Sequence, residues 1–229
     1  MYVLHIANKN YSSWSLRPWV MLKMAGIAFE ERLHPFNPDG PSREKFLAFS
    51  PTGQVPCLHD AEHVVWESLA ILEHLAERHG GFWPSEPGAR AFARSVSAEM
   101  AAGFFALRQD CPMSIGVRVR LGEHSPKLRR DLSRLDALFS EALDRFGGPF
   151  LTGAAFSVAD AMYCPVAWRI RSYDLPLSDA ALSYAERLRG LEPMKAWEAD
   201  ALAETFREPD HDAEIAALGT VVEDRRVRA

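Results

Sequence analysis

Ser50-Pro-Thr-Gly-Gln-Val-Pro56, with Trp66-Glu-Ser-Leu-Ala-Ile71 after it, is the stretch that decides the fold. The first half is turn chemistry running into an extended Val-Pro pair. A residue before proline is pushed toward extended backbone, and an X-Pro bond can be cis at modest cost, typically in a tight turn. Val55 can then present its N–H and C=O outward instead of pairing them in a sheet. The second half is an apolar strand end that enters a helix at an acid and a hydroxyl. Glu67 and Ser68 combine a carboxylate, a hydroxyl and the free amide donors of a helix start. Together the halves make a cradle for an extended, peptide-like ligand, with backbone on one side and an acid and a hydroxyl at its end.

Toward the N-terminus, residues 2–6 read as a buried strand and residues 8–15 as a polar loop rich in N-cap residues. A helix follows to about residue 25. Pro18 is tolerated only in a first helical turn, which favours a start near residues 13–15. Residues 27–33 form a second strand, 43–49 a short helix, 57–59 and 64–66 a hairpin, and 68–79 a helix. The order βαβ-α-ββα gives an α/β layer with a mixed sheet over residues 1–80. Residues 81–88, rich in glycine and proline, are a linker. Strand signals then disappear. Helical periodicity over 89–109, 125–146, 157–173, 180–188 and 194–203 predicts an all-α C-terminal domain over 89–218, with a charged, frayed tail over 219–229. The run at 157–173 is apolar enough to be central.

The 229 residues are 48% hydrophobic and 25% charged, with net charge −5. That composition supports a packed core without disulfides or metals and argues against a general nucleic-acid binder. Cys57, Cys111 and Cys164 are odd in number and far apart, so no disulfide framework or zinc knuckle is readable, and a reducing compartment fits best. The N-terminus reads as a strand rather than a signal peptide, and no apolar run reaches membrane-spanning length. The expectation is a soluble, cytoplasmic protein without a metal site or membrane partner.

Four motifs in order carry a resemblance: the serine-rich loop at residues 10–15, Ser50-Pro-Thr-Gly-Gln-Val-Pro56, Glu67-Ser-Leu-Ala-Ile71 and Phe156-Ser-Val-Ala-Asp160. They resemble the cytosolic glutathione transferases over nearly the whole chain, and within them a bacterial, theta- or zeta-like serine-type subgroup. The resemblance implies a thioredoxin-like N-terminal domain, glutathione as cosubstrate, a small electrophile in the cleft against the helical domain, and a homodimer. It places Val55 against the cysteinyl backbone of glutathione and Glu67 and Ser68 at the γ-glutamyl end. Gln54, Lys45, Arg43 and His34 are candidates for the glycyl carboxylate.

The thiolate is the nucleophile, and a hydroxyl at a helix N-terminus favours it by hydrogen bond and dipole. The resemblance, a serine five positions before an arginine, selects Ser12 before Arg17, with Ser13, Ser15 and Tyr11 as alternatives. Trp14 stands where some members have a cysteine, which disfavours a mixed-disulfide mechanism. The loop also resembles that of the zeta-like maleylacetoacetate isomerases, leaving a glutathione-dependent isomerase as an alternative; a disulfide or peroxide reductase and a non-catalytic binding protein are others.

Phe105, Arg108 and Arg169 are candidates for the electrophile pocket, although aromatics at helical spacing are more often core. An arginine in an apolar helix, such as Arg169 or Arg171, needs a partner or a solvated cleft. Ser157 and Asp160 read as a capping box with Phe156 as staple, a structural element without a catalytic role.

Overall fold

The computed structural model describes residues 1–227. The N-terminal part runs β1 (Tyr2–Ile6), α1 (Ser13–Met24), β2 (Phe29–Leu33), a four-residue α2 (Arg43–Phe46), β3 (Cys57–Asp60), β4 (His63–Trp66) and α3 (Ser68–His79). Its sheet order is β2-β1-β3-β4. The first pair is parallel across the α1 crossover, and the other two pairs are antiparallel. This is the βαβ-α-ββα order and mixed sheet expected from the sequence. Helix α1 starts at Ser13, inside the expected range, which leaves Pro18 in the second turn rather than the first; it has no N–H to donate to the Trp14 carbonyl.

The second part contains α4 (Pro87–Ala102), α5 (Phe105–Asp110), β5 (Val117–Leu121), α6 (Pro126–Phe146), α7 (Val158–Tyr173), α8 (Asp179–Arg189), α9 (Glu192–Ala203), α10 (Pro209–Ala217) and β6 (Gly219–Asp224). It is helical, as expected, with three differences. The single helix read over 89–109 is broken at Gly103 and Phe104, and Phe104 adopts φ 54°. Its ring is buried, edge-on to Tyr163, and that burial offsets the backbone cost. The Asp131 carboxylate accepts from Leu107 N–H at 3.0 Å and so caps the new start. Second, β5 and β6 form an antiparallel ribbon. The expected frayed tail is therefore a paired strand through Asp224, while residues 228 and 229 lie outside the described residues. Third, α10 occupies a stretch in which no helix was expected.

Helix α7 is the centre of the fold, buried at every position except Arg171. The expected capping box is present at its start. Asp160 Oδ2 accepts from Ser157 N–H and Ser157 Oγ–H, both at 2.9 Å. Asp160 Oδ1 accepts from Leu151 N–H and Tyr184 O–H, also at 2.9 Å. The four bonds tie a loop and α8 to one buried carboxylate.

The loop between β1 and α1 reads as polar but is buried. Lys9 is 4% exposed and Asn10 0%. Glu204, just after α9, accepts from the Lys9 and Asn10 amides at 2.5 and 3.3 Å. Trp197 Nε1–H donates to the Lys9 carbonyl at 2.9 Å, and the Lys9 ammonium pairs with Glu31 and Asp200. The C-terminal part thus fixes the loop that carries Tyr11, Ser12 and Ser13.

Candidate active site

A cleft of about 530 Å3 opens between that loop, the 36–43 segment and the start of α3. It gathers Ser12, Gln54, Val55, Glu67 and Ser68, with Tyr11, Ser13, Trp14 and Arg43. The Val55-Pro56 peptide is cis. β3 begins only at Cys57, and the Val55 N–H and C=O take no part in the ladders or in the turn and side-chain hydrogen bonds of the described residues. They form a free extended edge. Gly53 makes the turn before it, at φ +66°. A Cβ there would lie 2.7 Å from the Arg43 carbonyl oxygen, so only glycine lets α2 approach this closely.

At the other end of the cleft, β4 passes into α3 in a single residue. Glu67 makes the turn at φ 66°, ψ 126°, a backbone conformation outside both the usual regions and the left-handed helical one. Its carboxylate caps nothing and has no ion-pair partner among the described residues. Ser68 is 1% exposed. The first helical bond of α3 runs from Ile71 N–H to the Glu67 carbonyl at 3.0 Å, so the amides of residues 68–70 have no protein acceptor. This end offers a free carboxylate beside a cluster of free donors.

The loop hydroxyls are not equivalent. Ser12 and Ser13 line the cleft; Ser15 is fully buried and does not. Ser15 Oγ accepts from Ala7 N–H at 3.4 Å and from Ser12 Oγ–H at 2.7 Å. The Tyr11 hydroxyl donates to Asp212 Oδ1 at 3.0 Å and accepts from Arg226 at 3.1 Å. Burial, then the Asp212 charge, pushes its pKa far above the usual phenol range. Tyr11 is therefore committed to the C-terminal segment. The three cysteines are buried and absent from the cleft. Burial raises all three thiols, Cys57 to about 11 and Cys111 to about 12, so the protein supplies no reactive thiolate here.

Gln54 and Arg43 line the cleft, whereas Lys45 and His34 do not. His34 is engaged with His5, Nε2 to Nδ1 at 2.9 Å. The three residues expected around an electrophile are also elsewhere. Phe105 is 68% exposed, and Arg169 is 3% exposed with Nε–H bonded to the Cys111 carbonyl at 2.8 Å. Arg108 packs on Trp14 and donates to the Met100 and Ala101 carbonyls. The buried arginine in the apolar helix found carbonyls as its partners rather than a solvated cleft. The space beside the cleft is instead a hollow of about 500 Å3 between the 36–42 loop and α10, lined by Tyr11, Phe36, Ser42, Glu208, Asp210 and His211. Nothing in the sequence linked α10 to the site, because the link is tertiary. Among the described residues, no group of His, Cys, Asp or Glu is placed to hold a metal ion, and no helix is long and apolar enough to cross a membrane.

Fold and cleft define the class: a four-stranded mixed sheet with a free extended edge at a cis proline, joined to a helical domain that positions the hydroxyl loop. Comparison with known proteins agrees. The family described as glutathione S-transferase, N-terminal domain, matches residues 11–78. Maleylacetoacetate isomerase of Rattus norvegicus is 26% identical over 220 residues, covering 93% of this chain and 96% of that protein. A zeta-class glutathione S-transferase of Euphorbia esula is 27% identical over 163 residues, covering 67% of this chain and 70% of that protein. A maleylacetoacetate isomerase from Methylobacterium extorquens AM1, crystallised with malonate and glutathione, superposes with a TM-score of 0.64 at 25% identity, over 86% of this chain and 95% of that one. Residues 11–78 match the glutathione S-transferase N-terminal domain family, and over most of its length the chain is similar to cytosolic glutathione transferases.

Proposed function

We propose that the protein binds glutathione in this cleft and transfers its thiolate to a small electrophile. The observation that carries the reading is the cleft itself, where a free backbone edge at Val55 faces an acid-and-donor cluster at Glu67 and Ser68. Val55 would pair with the cysteinyl backbone. Glu67 would take the ligand ammonium, and Ser68 with the open amides of α3 its α-carboxylate. Arg43 and Gln54 are the two donors in reach of the glycyl carboxylate.

Ser12 would hold the sulfur. In the complex its O–H turns from Ser15 to the thiolate, while Ser15 donates to Ser12 Oγ in its place. A hydroxyl donating to the anion lowers the thiol pKa. The remaining acceleration comes from holding two reactants together. The electrophile would enter by the hollow beside Tyr11 and α10. Exposed Val64 and Trp66 on the β4 edge support pairing with a second copy of the chain.

The extent of the likeness to the rat isomerase favours one second reading, cis–trans isomerisation of an anionic diketo acid. Glu208 and Asp210 in the hollow speak against it, since like charges face to face are costly. Calorimetry with glutathione, then turnover of an aryl halide and of maleylacetoacetate, tests both. Binding with halide turnover is the expected result. Turnover of the diketo acid alone replaces the first reading with the second, and no binding removes both.

A further inference from the structure

A charge in the apolar helix α7 needs a partner or a solvated cleft. Arg169 takes backbone carbonyls as partners. Arg171 takes none. Its guanidinium lies over the Trp168 ring at 5.9 Å, and Nη1 is buried without a hydrogen-bond partner. Arg189, in the last turn of α8, repeats the pattern, with Nε buried and unpartnered. Basic side chains in a last helical turn ordinarily bond its carbonyls. Among the described residues neither Arg171 nor Arg189 makes a side-chain hydrogen bond or an ion pair. Both open on one cavity of about 570 Å3, which Arg118 of β5 also lines.

The acids nearby do not answer these charges. Glu198 is taken by Arg225 at 2.7 Å, and Glu223 stands across the β5–β6 ribbon from Arg118 at 3.9 Å. Asp174 and Glu186 sit exposed at the rim. Burial, then the Arg225 and Arg189 charges, holds Arg171 below the usual guanidinium range against the pull of Glu198 and Glu223. Burial does the same to Arg189 against Glu186 and Glu198. Arginine stays charged at neutral pH all the same. Leu175, Pro176 and Leu182 supply an apolar wall, and the volume suits a small organic molecule rather than a bare ion. We propose that this cavity is a second ligand site, separate from the cleft at Ser12, for a phosphate monoester of a small organic molecule. The phosphate lies between Arg171 and Arg189, and the organic part lies on Leu175, Pro176 and Leu182. A phosphate dianion answers both arginines and offers three oxygens to their forked donors, whereas a carboxylate answers one. The cavity shares no lining residue with the cleft, so the site stands apart from the glutathione reading.

Calorimetry on the full chain at physiological salt tests this with phenyl phosphate and benzoate as probes. The wild type should bind phenyl phosphate saturably, equally well with and without saturating glutathione, and benzoate about tenfold more weakly or less. Arg171→Gln and Arg189→Gln should each weaken phenyl phosphate by about tenfold or more, with glutathione affinity unchanged. The two variants lie on different helices, so one that fails to fold leaves the other to decide. Arg145→Gln removes an exposed arginine of α6 outside the cavity and should bind as the wild type does. The proposal is overturned if the wild type shows no binding at millimolar phenyl phosphate, or if glutathione displaces the probe, which would put it in the cleft. It is equally overturned if benzoate binds as tightly as phenyl phosphate, if a folded Arg171→Gln or Arg189→Gln binds phenyl phosphate normally, or if Arg145→Gln weakens it as much as they do.

Discussion

Replacing Glu67 with glycine should make the ligand-free protein more stable and a poorer binder of glutathione. Glu67 sits at φ 66°, ψ 126° where β4 passes into α3. A non-glycine residue in such a conformation stores about 1–3 kcal/mol. Glycine adopts it freely but gives up about 0.5–1 kcal/mol of chain entropy, for a net gain of about 0–2.5 kcal/mol. For a chain of this size each kcal/mol is worth about 2–4 °C, so the melting temperature should rise by up to about 10 °C. The lost carboxylate works the other way. It is solvent-exposed and otherwise unpaired, so its bond to a ligand ammonium is worth about 1–2 kcal/mol, or roughly a 5- to 30-fold loss of affinity. Glu67→Gln separates the two effects, because it removes the charge without relieving the backbone: it should melt with the wild type and bind with the glycine variant. Thermal melts and calorimetry on the three proteins read both quantities. A glycine variant that melts lower than wild type and binds glutathione normally would refute the reasoning, because the strained conformation would then serve the fold and not the ligand.

Ser12→Ala should raise the pKa of the bound glutathione thiol with affinity near wild type, read by ultraviolet titration of the thiolate; no shift makes Ser13, its neighbour in the cleft, the donor. Asp160→Ala strands four buried donors and should cost about 3–5 kcal/mol, on the order of 10 °C in Tm; a loss under 1 kcal/mol contradicts the capping-box account. His5 is 3% exposed, stacked on Phe49 and His34. Burial, then the neighbouring His59, His34 and Arg32 charges, outweighs the attraction of Glu30 and lowers its pKa from 6.5 to about 4. The unfolded chain takes up this proton first, so the contribution is present above pH 6.5 and lost as pH falls through about 4. Between those limits the wild type should lose about 2–3 kcal/mol, and His5→Phe should lose less; equal acid sensitivity in the two proteins assigns the effect elsewhere.

The part of the cleft formed by Val55, Glu67 and Ser68 is legible in the sequence because each piece has local chemistry. Val55 is placed by the proline after it, and Glu67 and Ser68 by the strand-to-helix switch they create. The capping box at Ser157 and Asp160 is legible for the same reason, since its partners lie three residues apart. The second half of the site is not local. Glu204 reaches Lys9 and Asn10 across most of the chain, and Asp212 and Arg226 reach Tyr11. No spacing rule shows such pairs, and so the burial of this polar loop is not legible in its sequence.

Arg169 stands out in the sequence for the right anomaly, a charge in an apolar helix, but its partners are backbone carbonyls. Arg17, which the sequence presents only as a spacing marker, keeps two buried guanidinium nitrogens without a partner among the described residues. One missed element did have a signal. Val117-Arg-Val-Arg-Leu121 alternates with the period of a strand, and Val117 and Val119 point inward; its partner, Gly219–Asp224, comes from about a hundred residues further on.

The central claim is that this cleft holds glutathione with its sulfur at Ser12, and a structure determined after soaking crystals in glutathione tests it most directly. The account predicts the cysteinyl backbone paired with Val55, the γ-glutamyl carboxylate at Ser68, and Ser12 Oγ within about 3.2 Å of the sulfur. Glutathione bound with its sulfur turned away from the loop hydroxyls, or an empty cleft at saturating ligand, would contradict it.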